Sequence, residues 1–334
     1  MTIIAILMPQ KVFDAQMNGS QLEQLRDLAA ADSYFHATTI EGLLSHPLAE
    51  KIDVLMTGWA TPKLSNDLLD ACTSLKLVVH CAGTVRHLVD PSFFDRNIRL
   101  VNSADANAVP VAEFLLSWIL RWNKKLPLFE NKYRAGHFIE NKVSAEFDLL
   151  GNRGKTIGVV SASRVGRRLI GLLKHFDLDV LLCDPFCTIE QTLAIGARKV
   201  DLPELMSASD IVSICAPLLP ETENLIGATQ LARMKDGALL INTSRGKLVD
   251  HDALLSELES GRLNAVLDVT EPEPLPRGSP FFSLPNAYLT PHVAGSMGLE
   301  IHRMTASALS EIELFLSSGN LRYPITLDDW AIAA

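Results

Sequence analysis

The chain has 334 residues, more than one core usually holds, so two domains of about 100–200 residues are expected. Hydrophobic residues make up 48% and charged residues 21%, which excludes a disordered polypeptide. Thirty Lys+Arg against 39 Asp+Glu leave a formal charge of −9, and no basic run exceeds Arg167-Arg168 or Lys124-Lys125, so nucleic acid is not an expected partner.

The opening Met1-Thr2-Ile3-Ile4-Ala5-Ile6-Leu7 has no basic flank and reads as a strand rather than an export signal. Further strands are expected at Val54–Thr57, Leu77–His80 and Leu100–Asn102, with helices at Gln21–Ala31 and Asn66–Cys72. Pro110 is expected to open a helix running from Val111 to about Arg121, since proline costs nothing in a first turn. Its most apolar part, Val111 to Leu120, covers about half a bilayer and carries Glu113, so no membrane span is expected. An irregular stretch follows through Phe147, then a turn at Gly151-Asn152-Arg153-Gly154.

Alternation then restarts. Strands are expected at Thr156–Val160, Val180–Cys183, Ile211–Cys215, Ala238–Asn242, Ala265–Val269 and Tyr288–Thr290, with helices at Gly166–Phe176, Pro203–Ser207 and Asp252–Ser260. The pattern is that of an α/β protein with parallel sheets, and the second block fits a dinucleotide fold. The last helix, Leu299–Ser318, has no strand left to serve and is expected to return to the first block. The first domain would then be discontinuous, 1–104 with 299–334, around a second domain at 105–298.

Five cysteines, at 72, 81, 183, 187 and 215, are odd in number and scattered through apolar runs, which fits free thiols in a reducing cytoplasm. Cys183 and Cys187 have no second Cys/His pair to complete four ligands, so no metal is expected.

Thr156 to Gly166 lies between a strand and a helix, where a G-x-G-x-x-G phosphate loop belongs. Ser161 and Ser163 occupy the first two glycine positions and only Gly166 remains. Asp184 follows at a strand end, placed to accept hydrogen bonds from a ribose, and Pro185, Phe186 and Cys187 bring no positive charge for a 2′-phosphate. NAD is therefore favoured over NADP. Ser163 and Arg164 at the helix N-terminus could face a pyrophosphate. The alternative is a loop that has lost its ligand.

Three later strand ends carry Arg245 (in Asn242-Thr243-Ser244-Arg245-Gly246), Glu271 and Glu273 (in Thr270-Glu271-Pro272-Glu273-Pro274), and His292 (in Thr290-Pro291-His292). An Arg to hold a carboxylate, a His to give a proton to a carbonyl oxygen and a Glu to keep that His protonated would suit reduction of a 2-oxo acid. Each alone reads equally as a solvated charge or a structural histidine.

From about Leu75 to Ser296 the chain resembles the D-isomer-specific 2-hydroxyacid dehydrogenase family, which includes D-lactate, glycerate and 3-phosphoglycerate dehydrogenases. The resemblance is carried by residues 75–85, 106–113, Cys183-Asp184-Pro185-Phe186, Ala216-Pro217-Leu218-Leu219-Pro220-Glu221-Thr222, Asn242–Gly246, Leu267-Asp268-Val269 with Glu273-Pro274, and Thr290-Pro291-His292. It implies a Rossmann domain inserted into a flavodoxin-like substrate-binding domain, with the substrate in the cleft between them. By motif, Arg245 would bind substrate, Glu273 would pair with the acid/base His292, and Glu271 would be a solvated neighbour. The cofactor NAD would meet Ser161, Ser163, Arg164, Val165, Gly166, Asp184, Ala216, Pro217, Thr243, Asp268 and Gly295, with Asp268 on the nicotinamide carboxamide. Backbone amides around Ala82, Gly83 and Thr84 would hold the substrate carboxylate, and Trp59, His80, Arg86 and His87 lie in or near the substrate-side loops. Formate dehydrogenases of this superfamily carry Gln where Glu273 stands, so a small 2-oxo or 2-hydroxy acid is expected instead. The helix with Trp118 and Trp122 resembles the family's dimerisation helix, which implies a homodimer; packing within one chain is the other reading of these rings. Two rival functions keep the fold: an NAD(H)-sensing binding protein like the family's C-terminal-binding co-repressors, and a pseudoenzyme whose serine-substituted loop no longer holds NAD.

Overall fold

The structure, a computed structural model, describes residues 2–29, 33–137 and 150–332. It divides into two units, Met1–Asn107 with Ser296–Ala334, and Ala108–Gly295. The divisions expected at 104/105 and 298/299 fall three residues inward at each crossing.

The first unit holds five parallel strands: β1 (Ile4–Leu7), β2 (Tyr34–Ala37), β3 (Val54–Thr57), β4 (Leu77–His80) and β5 (Arg99–Asn102). Their order, β2-β1-β3-β4-β5, is that of a flavodoxin-like sheet. Every residue of β1, β3 and β4 is buried, as expected of parallel strands covered on both faces. Alternation sorts the side chains: Ala5, Leu7 and Leu55 join one core, Ile4, Ile6 and Met56 the other. The helix Ile301–Ser318 buries Ala308, Leu309 and Ile312 in the second of these cores, so the last long helix does return to the first unit. Gly319, at φ 72°, ends it in the left-handed conformation that glycine adopts cheaply.

The second unit holds seven parallel strands: β6 (Lys155–Val160), β7 (Leu178–Cys183), β8 (Arg198–Lys199), β9 (Ile211–Ile214), β10 (Leu239–Asn242), β11 (Asn264–Leu267) and β12 (Ala287–Leu289). The order β12-β11-β10-β9-β6-β7-β8 places β6 between β7 and β9. The chain winds outward from β6 in one direction and then in the other, the doubly wound Rossmann arrangement, with its switch point between β6 and β9. Ser163 caps the helix Arg164–Leu173 by accepting from Gly166 N at 3.2 Å, and Leu169, Ile170 and Leu173 form its buried face. Burying each of these side chains contributes roughly 1.5–3 kcal/mol.

Two expectations need correcting. Pro110 lies inside the helix Ala104–Asn123 rather than at its start. Asn102 Oδ1 accepts from Ala104 N at 3.3 Å and starts the helix earlier, and the Ala-rich 104–108 run carries it through the proline at the cost of one backbone bond. Two strands were not expected: β2, and β8, only two residues long, so that the second sheet has seven strands instead of six. The helix expected at Gln21–Ala31 runs Gly19–Ala29; residues 30 and 31, and the irregular stretch from 138 through Phe147, lie outside the described residues. Among the described residues no helix is long and apolar enough to cross a membrane.

Candidate active site

The parallel register of the second unit brings the candidate residues to one edge. Cys183, Val160, Ile214, Asn242, Leu267 and Leu289 form a row of paired positions across β7, β6, β9, β10, β11 and β12. The next residue after each is Asp184, Ser161, Cys215, Thr243, Asp268 and Thr290. A doubly wound sheet binds its ligand beyond such carboxyl ends.

At the switch point the loop after β6 is tight. Gly166 is required there, because a Cβ would stand 2.1 Å from the Ser161 carbonyl oxygen. Ser161 itself has φ 81°, a conformation that costs a side-chain-bearing residue about 1 kcal/mol or more and explains why glycine is usual at this position. Asp184, 7% exposed, accepts from Ala162 N at 2.7 Å, Ser161 Oγ at 3.2 Å and Phe186 N at 2.8 Å. Ser163 is half-buried, Arg164 is exposed beside the helix N-terminus, and Val165 is half-buried against the core. Across the switch point Ala216 is buried and Pro217 half-buried, and burial pushes the neighbouring Cys215 thiol up to about 12, which keeps it neutral.

The residues present fit a dinucleotide. The helix after Ser163 offers an amide-rich N-terminus, Gly166 permits close approach, and the buried Thr243 Oγ1 has no partner among the described residues.

The remaining strand ends carry the charged groups. Arg245 follows β10, half-buried, with Nη1 donating to Ser244 O at 2.6 Å. Asn242 Nδ2 donates to Arg245 O at 2.8 Å and fixes that loop. Gly246 lets the loop lie against the next one: a Cβ there would sit 2.1 Å from both the carbonyl carbon and the oxygen of Thr270. That neighbouring loop leads to Glu273, whose Oε1 lies 2.6 Å from His292 Nδ1, both side chains about half exposed. Burial lowers the Arg245 guanidinium below its ordinary value, and the Glu273 carboxylate opposes this only in part. Glu273 thus touches His292 and feels Arg245, and the three come together within one unit. Glu271 is exposed, its amide donating to His251 Nε2 at 3.2 Å.

Asp268 is 2% exposed and faces the His292 turn: Oδ1 accepts from Thr290 Oγ1 at 2.6 Å and Val293 N at 2.8 Å, Oδ2 from Ala294 N at 3.0 Å. His292 has φ 56°, and its amide donates to Asp268 O and Thr290 O. Gly295, half-buried, closes this turn. The bracing role of Asp268, and the support that His251 gives the Glu271 loop, were not anticipated from sequence. The signals available were only an Asp just after β11 and the Thr290-Pro291-His292 turn just after β12.

In the first unit, the carbonyls of Ala82 and Gly83 accept from Ser103 N and Asn102 Nδ2. The amides of Gly83 and Thr84 donate to no described residue. Trp59, Arg86 and His87 are exposed there, whereas His80 is fully buried, its Nδ1 2.8 Å from Thr57 Oγ1, and is structural. Trp118 and Trp122, in the second unit, pack on Tyr288 with ring centroids 5.3 and 6.1 Å apart.

Counted from β6 as its first strand, the parallel sheet has the order 3-2-1-4-5-6-7, and with an amide-rich loop at its switch point it is the doubly wound dinucleotide-binding fold. Comparison with known proteins makes this specific. Residues 116–294 match the profile of the D-isomer specific 2-hydroxyacid dehydrogenase, NAD binding domain. The chain is 34% identical over 244 residues to a glyoxylate reductase of Thermofilum pendens, covering 71% of this chain and 70% of that protein. It is 32% identical over 235 residues to a D-3-phosphoglycerate dehydrogenase of Archaeoglobus fulgidus, covering 70% and 44%. Among solved structures, a phosphoglycerate oxidoreductase from Rhizobium etli superposes with a TM-score of 0.81 at 21% identity, covering 96% of each chain, which shows a shared fold. The chain belongs to the D-isomer-specific 2-hydroxyacid dehydrogenase family, and residues 116–294 match its NAD-binding domain. It spans about half the length of the curated D-3-phosphoglycerate dehydrogenases it matches.

Proposed function

We propose that the protein interconverts a small 2-oxo acid and the corresponding D-2-hydroxy acid with NAD(H) as redox partner. One observation carries this reading: the 2.6 Å His292–Glu273 pair stands at the same strand-end edge as Arg245, whose charge Glu273 supports. The cofactor would be held by the Ser161–Gly166 loop, Asp184, Ala216, Pro217, Thr243, Asp268 and Gly295, and when bound it supplies the hydride acceptor or donor.

The rest of the chemistry belongs to the chain. The Arg245 guanidinium presents a planar fork to a substrate carboxylate. Backbone amides at Ala82, Gly83 and Thr84 are further substrate-binding donors that we assign. With Nδ1 committed to Glu273, His292 has Nε2 left for the substrate oxygen. With the ring held by Glu273 through Nδ1, Nε2 gives a proton to the carbonyl oxygen in reduction and takes the hydroxyl proton in oxidation. A carboxylate at position 273, rather than an amide, is what an acid/base cycle at His292 requires.

We also assign a homodimer, through the helix Ala104–Asn123, and a reducing cytoplasmic setting that suits five free cysteines. The Arg245→Lys variant tests the substrate role. It keeps the charge and loses the fork, so KM for the 2-oxo acid should rise about tenfold or more with NADH affinity unchanged. An unchanged KM would place the carboxylate elsewhere.

A further inference from the structure

The opposite edge of the second unit's sheet also carries a site. The starting ends of β6, β9 and β10 border a cavity of about 510 Å³, whose walls include Lys125, Lys155, Lys235, Asp210, Trp122 and Phe129. It lies a strand's length, roughly 20 Å for the six residues of β6, from the loops that serve the cofactor.

Its charges do not balance. Asp210 Oδ1 is 3.4 Å from Lys235 Nζ and 3.6 Å from Lys155 Nζ, while Oδ2 is taken by Thr156 N at 2.9 Å. Lys125 Nζ sits 4.3 Å from the centre of the Trp122 ring, and the other acid at the rim, Asp236, stands 3.6 Å from Arg262 Nη1. Among the described residues that line it, four ammonium groups, of Lys125, Lys132, Lys155 and Lys235, face two carboxylates, Asp210 and Asp236, an excess of two positive charges in a chain whose net charge is −9. Burial, and after it the proximity of Lys155, weaken the hold of Lys125 on its proton, and the Asp210 carboxylate opposes this only in part. Uncompensated, partly buried like charges destabilise a fold, and a bound anion reverses that sign.

We propose that this cavity is an anion site and that its ligand carries a phosphate group. The donors are lysine ammoniums, point charges approaching from the ends of separate elements; no free guanidinium fork is present to match a planar carboxylate, because Arg262 is bound to Glu257 and to the carbonyls of Leu231 and Met234. The Trp122 and Phe129 side gives the organic part of a phosphate monoester an apolar wall. The site is independent of the reaction assigned above.

The test titrates the full-length protein with inorganic phosphate at constant ionic strength, with and without saturating NADH, following ³¹P line width and thermal stability. Saturable binding that persists with NADH is expected, weakened at least tenfold in Lys155→Gln/Lys235→Gln, with NADH affinity unchanged. Lys125→Gln gives a second reading that misfolding would not mimic: a higher Tm than wild type without phosphate and a smaller phosphate-induced rise. A phosphate effect no larger than that of matched chloride, one equal in the variants, or one abolished by NADH would overturn the proposal.

Discussion

The carboxylate of Asp268 accepts the amide of Val293 at 2.8 Å and so fixes the turn from which His292 projects. The same group takes Ala294 N and Thr290 Oγ1, three donors on one buried anion. Asp268→Asn keeps the shape but removes the charge and turns one oxygen into a donor facing donors. Stability should fall by about 2–3 kcal/mol, with turnover falling further than NADH affinity. Thermal denaturation with parallel kinetics checks this; a variant as stable and active as wild type would remove Asp268 from the account.

Ser161 pays for a φ of 81° that glycine adopts without strain. Ser161→Gly relieves that strain at the cost of a 3.2 Å hydrogen bond to Asp184 and some chain entropy. These effects nearly offset, so stability should change by less than about 1 kcal/mol. NADH should bind at least as tightly, because an Asp184 lone pair is released for a ribose hydroxyl. Urea unfolding and an NADH titration measure both quantities, and a stability loss of about 2 kcal/mol or weaker NADH binding contradicts the reading.

His80 gives the first unit an acid-sensitive core. Burial, helped by the nearby His87, pushes its pKa from 6.5 down to about 3, so the fold holds it neutral while the unfolded chain protonates it near 6.5. Its contribution is complete above pH 6.5 and is lost progressively as pH falls toward 3, at about 1.4 kcal/mol per pH unit. His80→Asn should flatten the dependence of stability on pH between 6.5 and 4.5. Parallel slopes for the two proteins would show that another group sets the acid limit.

Much of this arrangement was legible in the sequence because parallel strands buried on both faces are short apolar runs bounded by turns. Val54–Thr57 and Leu77–His80 fall where expected. β2, Tyr-Phe-His-Ala, is an edge strand with half-exposed side chains, and β8 is a pair of basic residues in register with Leu181 and Leu182, so neither carries an apolar signal. The candidate site was legible for a related reason: its residues follow strand ends, and parallel register aligns strand ends. Conformation and long-range bracing were not legible. Nothing local says that Ser161 and His292 hold positive φ, or that Asp268 serves amides 25 and 26 residues further on.

The central claim is that His292 moves the proton for a reaction whose hydride partner is NAD(H). The most direct measurement follows NADH absorbance with glyoxylate, hydroxypyruvate, pyruvate and 3-phosphohydroxypyruvate, comparing wild type with His292→Asn, a residue that tolerates the left-handed backbone at this position. The account predicts turnover of at least one of these acids by wild type, a loss of about a hundredfold or more in kcat for the variant, and NADH binding unchanged in both. NADH binding without turnover of any 2-oxo acid, or full activity in His292→Asn, would contradict it.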